Sequence, residues 1–411
     1  MPIIESPLDI DFYKSSMGQV IFHRHRNVEG RFILVNRTKA VHIPDFVGED
    51  ELRRELDRVR ERVRFSKTEL HYLRGTNEYH QRMFVEDYLD FISRLQLPEY
   101  HLARVGDQYQ LEFPGQWAEI TYWETIALSI INELYYQSFM KKLSRFGRDL
   151  VYAEGKRRLA EKIDILRKRP DITICDFGTR RRFSRDWHDY VVRTLSEELP
   201  PTQFLGTSNI YLAMKYGLLP MGTSAHEMDM GYSGIFHWND EEIRASHQKV
   251  LYDWWDEYNW GLSIALTDTY GTDFFFGDMT PRQAQYWKGL RQDSGDPFVF
   301  VDKAVAFYQR CGVDPQEKLI VFSDGLDIHT IVKLADYCEG KIRCTFGWGT
   351  NLTNDLGFPA LSLIVKLVES NGHGTVKLSD NIAKALGKPE DIERFKRIFG
   401  YAGTYEKECK Y

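Results

Sequence analysis

Along the chain, hydrophobic positions change their period. Over the first 145 residues helical spacing dominates: EDELRRELDRVRERVRF (49–65) and EDYLDFISRL (86–95) each gather apolar residues on one side of a charged helix, with strand-like pieces such as GRFILVNRT between them. The segment AEITYWETIALSIINELYYQSF (118–139) is apolar on nearly every face after Trp123, which predicts a buried helix leading into a second unit. A polar helix over about 146–168 follows and ends before Pro170. From 172 onward the texture becomes short β-branched runs closing in Gly, Ser, Thr, Asp or Asn: ITICDFGTR, TQFLGTSN, LLPMGTSAHE, LSIALTDTYG, YWKGLRQDSGD, KLIVFSDGLD, IRCTFGWGTN and ALSLIVKLVESNG. Amphipathic helices such as DPFVFVDKAVAFYQRCG separate most of them. That alternation predicts a parallel sheet closed into a (β/α) barrel. The second and third runs lie too close for a full crossover helix, so the barrel is expected to be irregular or incomplete. Two β-like pieces flank NGHG, a hairpin signal that takes the chain out of the barrel. The expected organisation is an N-terminal α+β domain (1–145), an irregular α/β barrel (146–370), and a hairpin return with a C-terminal helix packing on the first domain (371–411).

Composition narrows the class. A chain of 411 residues exceeds the roughly 250–300 that one core organises, so two units are expected. No run approaches the roughly 18 apolar residues of a membrane span, and MPIIESPLDID lacks the charged head and apolar core of a signal peptide. A cytoplasmic protein with no membrane partner is the expectation. A net charge of −6 without long single-sign blocks argues against nucleic acid as a partner. The cysteines Cys175, Cys311, Cys338, Cys344 and Cys409 are odd in number and include no CxxC, which excludes a disulfide framework and a zinc ribbon and predicts reduced, mostly buried thiols.

Barrel enzymes build their sites at the C-terminal ends of the strands, and the chemically capable residues fall there: Asp176, Arg180, Ser208, His226, Asp268, Asp293, Asp324 and Gly347. GLRQDSGDP packs Arg291 and Asp293 into one turn, with Asp296 and Pro297 starting a helix behind it. FGWGTN lets backbone N–H groups approach an anion, and FGTRRRFSRDW puts Arg180 where it can clamp a phosphate or carboxylate. His226, in GTSAHEMDM, has no HxH, HExxH or cysteine partner, so no direct protein metal site is expected. A buried, satisfied histidine and a nucleophilic or acid–base group both remain open for it. Glu227 is the expected orienting carboxylate, and Asp229 has no assigned role.

The strings DFYKSSM, DFGTRRRFS, GTSN, MGTSAHE, ALTDTYG, GLRQDSGDP, VFSDGLD, FGWGTNLTND and KLVESNG…KLSD occur in an order that closely resembles bacterial nicotinate phosphoribosyltransferases. The resemblance implies the irregular α/β barrel of type II phosphoribosyltransferases with its N-terminal domain. It also implies synthesis of nicotinate mononucleotide from nicotinate and phosphoribosyl pyrophosphate, coupled to ATP hydrolysis with Mg²⁺, in a homodimer whose subunits share active sites. By that resemblance His226 is the histidine phosphorylated by ATP. Tyr13, from the partner subunit, and Phe177 sandwich the pyridine ring, with Arg180 beside it. Asp268, Arg291 and Asp293 lie near ribose and pyrophosphate. Ser323, Asp324, Gly347, Gly349 and Thr350 form the phosphate end, and Lys366 and Lys377 reach across the dimer interface. Nicotinamide-using relatives read GTD where this chain reads GTS, so Ser208 is expected to donate to a carboxylate and select acid over amide. Trp348, between the glycines of GWGTN, is expected to narrow the phosphate turn. A nicotinamide phosphoribosyltransferase and a metal-dependent barrel hydrolase using His226, Asp268 and Asp293 are the competing readings.

Overall fold

The computed structural model describes residues 2–78 and 80–407; Cys409, one of the expected thiols, lies outside the described residues. In chain order the strands are β1 (Glu29–Asn36), β2 (Asn77–Glu78), β3 (Gln81–Arg82), β4 (His101–Val105), β5 (Gln108–Gln116), β6 (Ile174–Asp176), β7 (Phe204–Thr207), β8 (Leu219–Pro220), β9 (Ile264–Leu266), β10 (Gly289–Gln292), β11 (Leu319–Phe322), β12 (Arg343–Trp348), β13 (Leu363–Ser370) and β14 (His373–Gly374). Seven of them form one sheet in the order β8-β7-β6-β12-β11-β10-β9, every neighbouring pair parallel. This is the α/β arc expected from the alternating runs, and it stays open between β8 and β9. The short link anticipated between β7 and β8 holds only the helix Ile210–Tyr216, stopped by Gly217 in the left-handed region. Such a connection supports no more than a two-residue strand, β8.

The eighth run leaves the arc. Between β12 and β13 lies a single helical turn, Thr350–Thr353, short of the crossover that a parallel neighbour needs. β13 instead pairs antiparallel with β1, in a second sheet ordered β14-β13-β1-β5-β4. The expected barrel boundary at 370 is therefore corrected, because Leu363–Ser370 belongs to the sheet of the N-terminal half. The hairpin at Asn371–Gly372 then joins β13 to β14.

The helix Trp123–Lys142 is buried along most of its length, as its all-round apolar pattern demands. The helix His226–Ile235 crosses from the open edge of the arc onto β13. Ser370 Oγ donates to Gly231 O at 2.9 Å, and any side chain at Gly234 would meet the Ser370 backbone. The C-terminal helix Pro389–Phe399 does not pack on the N-terminal domain as expected. Its Phe395, Ile398 and Phe399 join Ile243, Tyr270 and Phe274 beside β9, where the Tyr270 and Phe399 rings stack at 3.9 Å. Cys175, Cys311, Cys338 and Cys344 are free. Among the described residues no helix is long and apolar enough to cross a membrane.

Candidate active site

A cavity of about 290 Å³ opens at the C-terminal ends of the parallel strands, roofed by Ile364 and Lys366 of β13. Its wall carries seven cationic side chains (Arg37, Arg180, Arg181, Arg291, Lys366, Lys377, Lys384) against four carboxylates (Asp11, Asp293, Asp324, Asp327), so it is built for a polyanion. Of the strand-end residues singled out in the sequence, Arg180, Ser208, His226, Asp293, Asp324 and Gly347 line it; Asp176 is instead buried against His188 and Thr207, both at 2.6 Å, and Asp268 stands behind His226 with Oδ1 3.7 Å from Nε2.

At one end stand Tyr13, Phe177, Arg180 and Ser208. Phe177 rests on Gly347, where a Cβ would overlap its ring, so that glycine makes room for the aromatic face. Arg180 Nη1 donates to the Tyr13 hydroxyl at 2.9 Å, and its guanidinium lies 5.4 Å from the centre of the Tyr13 ring. Behind it, Lys14 Nζ bridges Glu124, at 2.6 Å, and Glu227, while Lys366 meets Glu124 at 3.3 Å. Burial alone would raise the Glu124 carboxyl, but Lys14, Lys366 and Arg180 hold it well below its usual range.

At the other end His226 occupies the first turn of its helix, almost fully buried. Its Nδ1 lies 3.0 Å from Thr269 Oγ1; its Nε2 faces Lys377 Nζ at 2.8 Å and Asp293 Oδ2 at 2.9 Å. Burial first, and then the Lys377 ammonium, lower the imidazole to about 4, so it is neutral near pH 7. Burial opposes ionisation of Asp293, yet its contact with His226 and the Arg291 cation hold it well below the normal carboxylate range. Ser323 Oγ donates to Asp293 Oδ1 at 2.9 Å, tying the SDGLD turn to this group. His226, Asp268 and Asp293, the trio of the hydrolase alternative, offer ligand atoms within 4.8 Å of one another, although no direct protein metal site was expected. Asp268 Oδ1 is buried without a hydrogen-bond partner. Two such carboxylates suit an oxygen-preferring cation such as magnesium.

Comparison with known proteins decides the family. Residues 172–402 match the nicotinate phosphoribosyltransferase family, and residues 8–132 match its N-terminal domain. The chain belongs to the nicotinate phosphoribosyltransferase family. Its fold is shared with a nicotinate phosphoribosyltransferase from Vibrio cholerae at 32% identity and a TM-score of 0.87, covering 98% of this chain and 94% of that one. The enzyme of that name from Porphyromonas gingivalis is 30% identical, with a TM-score of 0.86, over 97% of this chain and all of the other. A putative one from Saccharomyces cerevisiae is 27% identical, with a TM-score of 0.85, over 98% and 99% of the two chains. Membership in this family makes phosphoribosyl transfer to nicotinate, a step of NAD biosynthesis, the reaction of this fold.

Several expectations change inside that family frame. Tyr13, Lys366 and Lys377 were expected from a partner subunit, yet each lines the cavity of its own chain. β13 folds back over the mouth of the arc and brings in Lys366 and, after the hairpin, Lys377, whereas Tyr13 arrives on the helix Phe12–His25, whose first N–H donates to Ser208 O at 2.7 Å. Ser208 was expected to donate to the substrate, but its hydroxyl proton goes to Asp11 Oδ1 at 2.6 Å. Trp348 does not narrow the phosphate turn: it is fully buried, with Nε1 donating to Leu326 O at 3.1 Å. Glu227 does not orient His226, because its carboxylate is taken by Lys14, Trp117 Nε1 at 2.7 Å and Thr121 Oγ1 at 2.6 Å. Residues the sequence did not reveal include Asp11, Arg37 and Lys384. Lys384 Nζ donates to Asp293 O at 3.1 Å and also meets Asp324. It sits in a short 3-10 turn whose sequence has no amphipathic period, so no local signal marks it.

Proposed function

We propose that the chain joins nicotinate to the ribose of phosphoribosyl pyrophosphate and couples this transfer to ATP hydrolysis through transient phosphorylation of His226 at Nε2. The observation that carries this reading is a neutral imidazole whose Nε2 opens into a cavity where cations outnumber carboxylates.

In the coupling half, the Nε2 lone pair attacks the γ-phosphorus of ATP, the bond from that phosphorus to the bridging oxygen breaks, and ADP leaves. Lys377, 2.8 Å from Nε2, offsets the charge of the transferred group. Water then cleaves the N–P bond, giving phosphate and restoring His226. In the transfer half, the ring nitrogen of nicotinate approaches C1 of the ribose as the bond to pyrophosphate breaks. Positive charge develops on the ribose and faces Asp293, while Arg291, Lys377 and Lys384 receive the negative charge of pyrophosphate. Tyr13 and Phe177 keep the pyridine ring in line, and Arg180 takes its carboxylate, which favours the acid over the amide. The turns Ser323–Asp324 and Gly347–Gly349–Thr350 hold the 5′-phosphate end. Asp268 and Asp293 would hold magnesium carried with the substrate phosphates, which supplies further charge neutralisation at the leaving group.

The test is to incubate pure protein with nicotinate, phosphoribosyl pyrophosphate and Mg²⁺, with and without ATP, and to assay mononucleotide. Product in both arms, more with ATP, is expected; no product in either arm overturns the reading. Replacing nicotinate by nicotinamide should abolish turnover, and equal turnover of the two would remove Arg180 from its proposed role.

A further inference from the structure

Asp229 is a fully buried carboxyl one turn along the helix that begins at His226, and no step above uses it. Thr269 Oγ1 donates to Asp229 Oδ2 at 2.5 Å, and the same oxygen lies 3.0 Å from His226 Nδ1. The Tyr270 hydroxyl donates to Asp229 O at 2.9 Å, anchoring this turn to the loop after β9. We propose that Asp229, acting through the Thr269 hydroxyl, is a positioning residue that holds His226 in the tautomer with its proton on Nδ1, so that Nε2 presents its lone pair to Lys377 and the cavity.

The assignment follows from counting donors. A threonine hydroxyl has one proton, and here it is spent on Asp229, so toward His226 the oxygen can only accept. Nδ1 must then carry the ring proton. On the far side Lys377 Nζ, a donor with no acceptor while charged, faces Nε2 at 2.8 Å and needs a lone pair there. The Nδ1–H form satisfies both contacts; its cost is the lost bond to Asp293, whose Oδ2 then faces the Nε2 lone pair at 2.9 Å beside the Lys377 ammonium. The Nε2–H form gains that single bond, sets two lone pairs against each other at Thr269, and points a proton at the ammonium. Burial raises the Asp229 carboxyl above its usual range, but Oδ2 accepts from Thr269 whether or not the other oxygen is protonated. Glu227, the expected orienting acid, lies about 100° round the helix from His226, whereas a residue three positions on returns to the same side.

The tautomer can be read without activity, while its catalytic consequence rests on the phosphohistidine reading. Full-length protein labelled with nitrogen-15 histidine, observed by long-range nitrogen–proton correlation near neutral pH, reports which ring nitrogen is protonated; the signal lost in His226→Asn identifies the residue. Wild type should show Nδ1–H, Thr269→Val and Asp229→Ala should shift it to Nε2–H, and Thr269→Ser should keep the wild-type pattern. In parallel, Thr269→Val should lower kcat of the ATP-dependent reaction by about tenfold with KM for phosphoribosyl pyrophosphate unchanged, and Thr269→Ser should restore it. A wild-type Nε2–H pattern, or Thr269→Val retaining both Nδ1–H and full kcat, overturns the proposal. If the wild-type enzyme forms no mononucleotide, the functional reading fails, and the correlation pattern still decides the tautomer.

Discussion

The two ends of the cavity hold their charges differently. Behind the pyridine end, Lys14 is spent between Glu124 and Glu227, and Glu124 is shared further with Lys366 and Arg180. These groups compensate one another before any ligand arrives, so they form a rigid support for Tyr13 and Arg180. At the imidazole end compensation is incomplete: Asp268 Oδ1 and Arg291 Nε are buried without hydrogen-bond partners. Unpaired buried polar groups cost stability, and here they point to where a phosphate-bearing substrate would supply the missing partners. The support behind the pyridine end is closed by folding, with Asp11 Oδ2 beside Ser208 its one buried lining atom lacking a hydrogen bond among the described residues, whereas the imidazole end is finished by binding.

Breaking the active end should give the largest effect. His226→Asn is expected to abolish phosphoryl label from γ-labelled ATP, which in wild type should be acid-labile and base-stable; label that persists would remove His226 from this role. Breaking the compensated end should instead cost stability. Lys14→Met leaves the buried Glu227 without its cation and strips Glu124 of one of three, and should destabilise by about 3–5 kcal/mol in a denaturant melt. Lys377→Met, at the open end, should lose turnover before it loses stability, and equal melting losses in the two variants would erase the contrast. Gly347→Ala drives a methyl into the Phe177 ring and should cost about 1–3 kcal/mol. It should raise KM for nicotinate more than KM for phosphoribosyl pyrophosphate.

Two pH effects sharpen the same contrast. The His226 imidazole takes a proton below 6.5 when unfolded but only near 4 when folded. Between those values the unfolded chain binds more protons, so stability falls as pH falls. His226→Asn should flatten that slope in melts from pH 7 to pH 4. Asp380 works in the opposite sense: burial, reinforced by Asp268, raises it to about 7 from 3.8. Across that window the folded state holds the extra proton, and stability falls as pH rises. Asp380→Asn should therefore raise Tm at pH 8 and leave it nearly unchanged near pH 4, a smaller effect than the others.

Much of the site could be read in the chain because its residues sit where a hydrophobic run meets turn chemistry. Phe177 and Arg180 after β6, Ser208 after β7, Asp268 after β9 and Asp293 after β10 are each marked by the strand before them. Local pattern failed where a position depends on a helix face or a distant strand. Glu227 looked like the neighbour of His226 because it is adjacent in sequence, yet Asp229, on the helix face shared with His226, makes the connection through Thr269, 40 residues away along the chain. The C-terminal helix had a clear apolar face, but nothing in its own sequence distinguishes Tyr270 and Phe274 from the apolar groups of the N-terminal sheet.

The sequence by itself determined the alternation of strands and helices and the placement of acids, arginines, glycines and His226 at strand ends. Those follow from periodicity and turn propensity, which act over a few residues. Only the tertiary structure decided that β13 abandons the arc for the antiparallel sheet, so that Lys366 and, after the hairpin, Lys377 enter the cavity of their own chain. Strand pairing is settled by which hydrogen-bonding edge and which apolar face are available in space, and a strand's own sequence encodes neither.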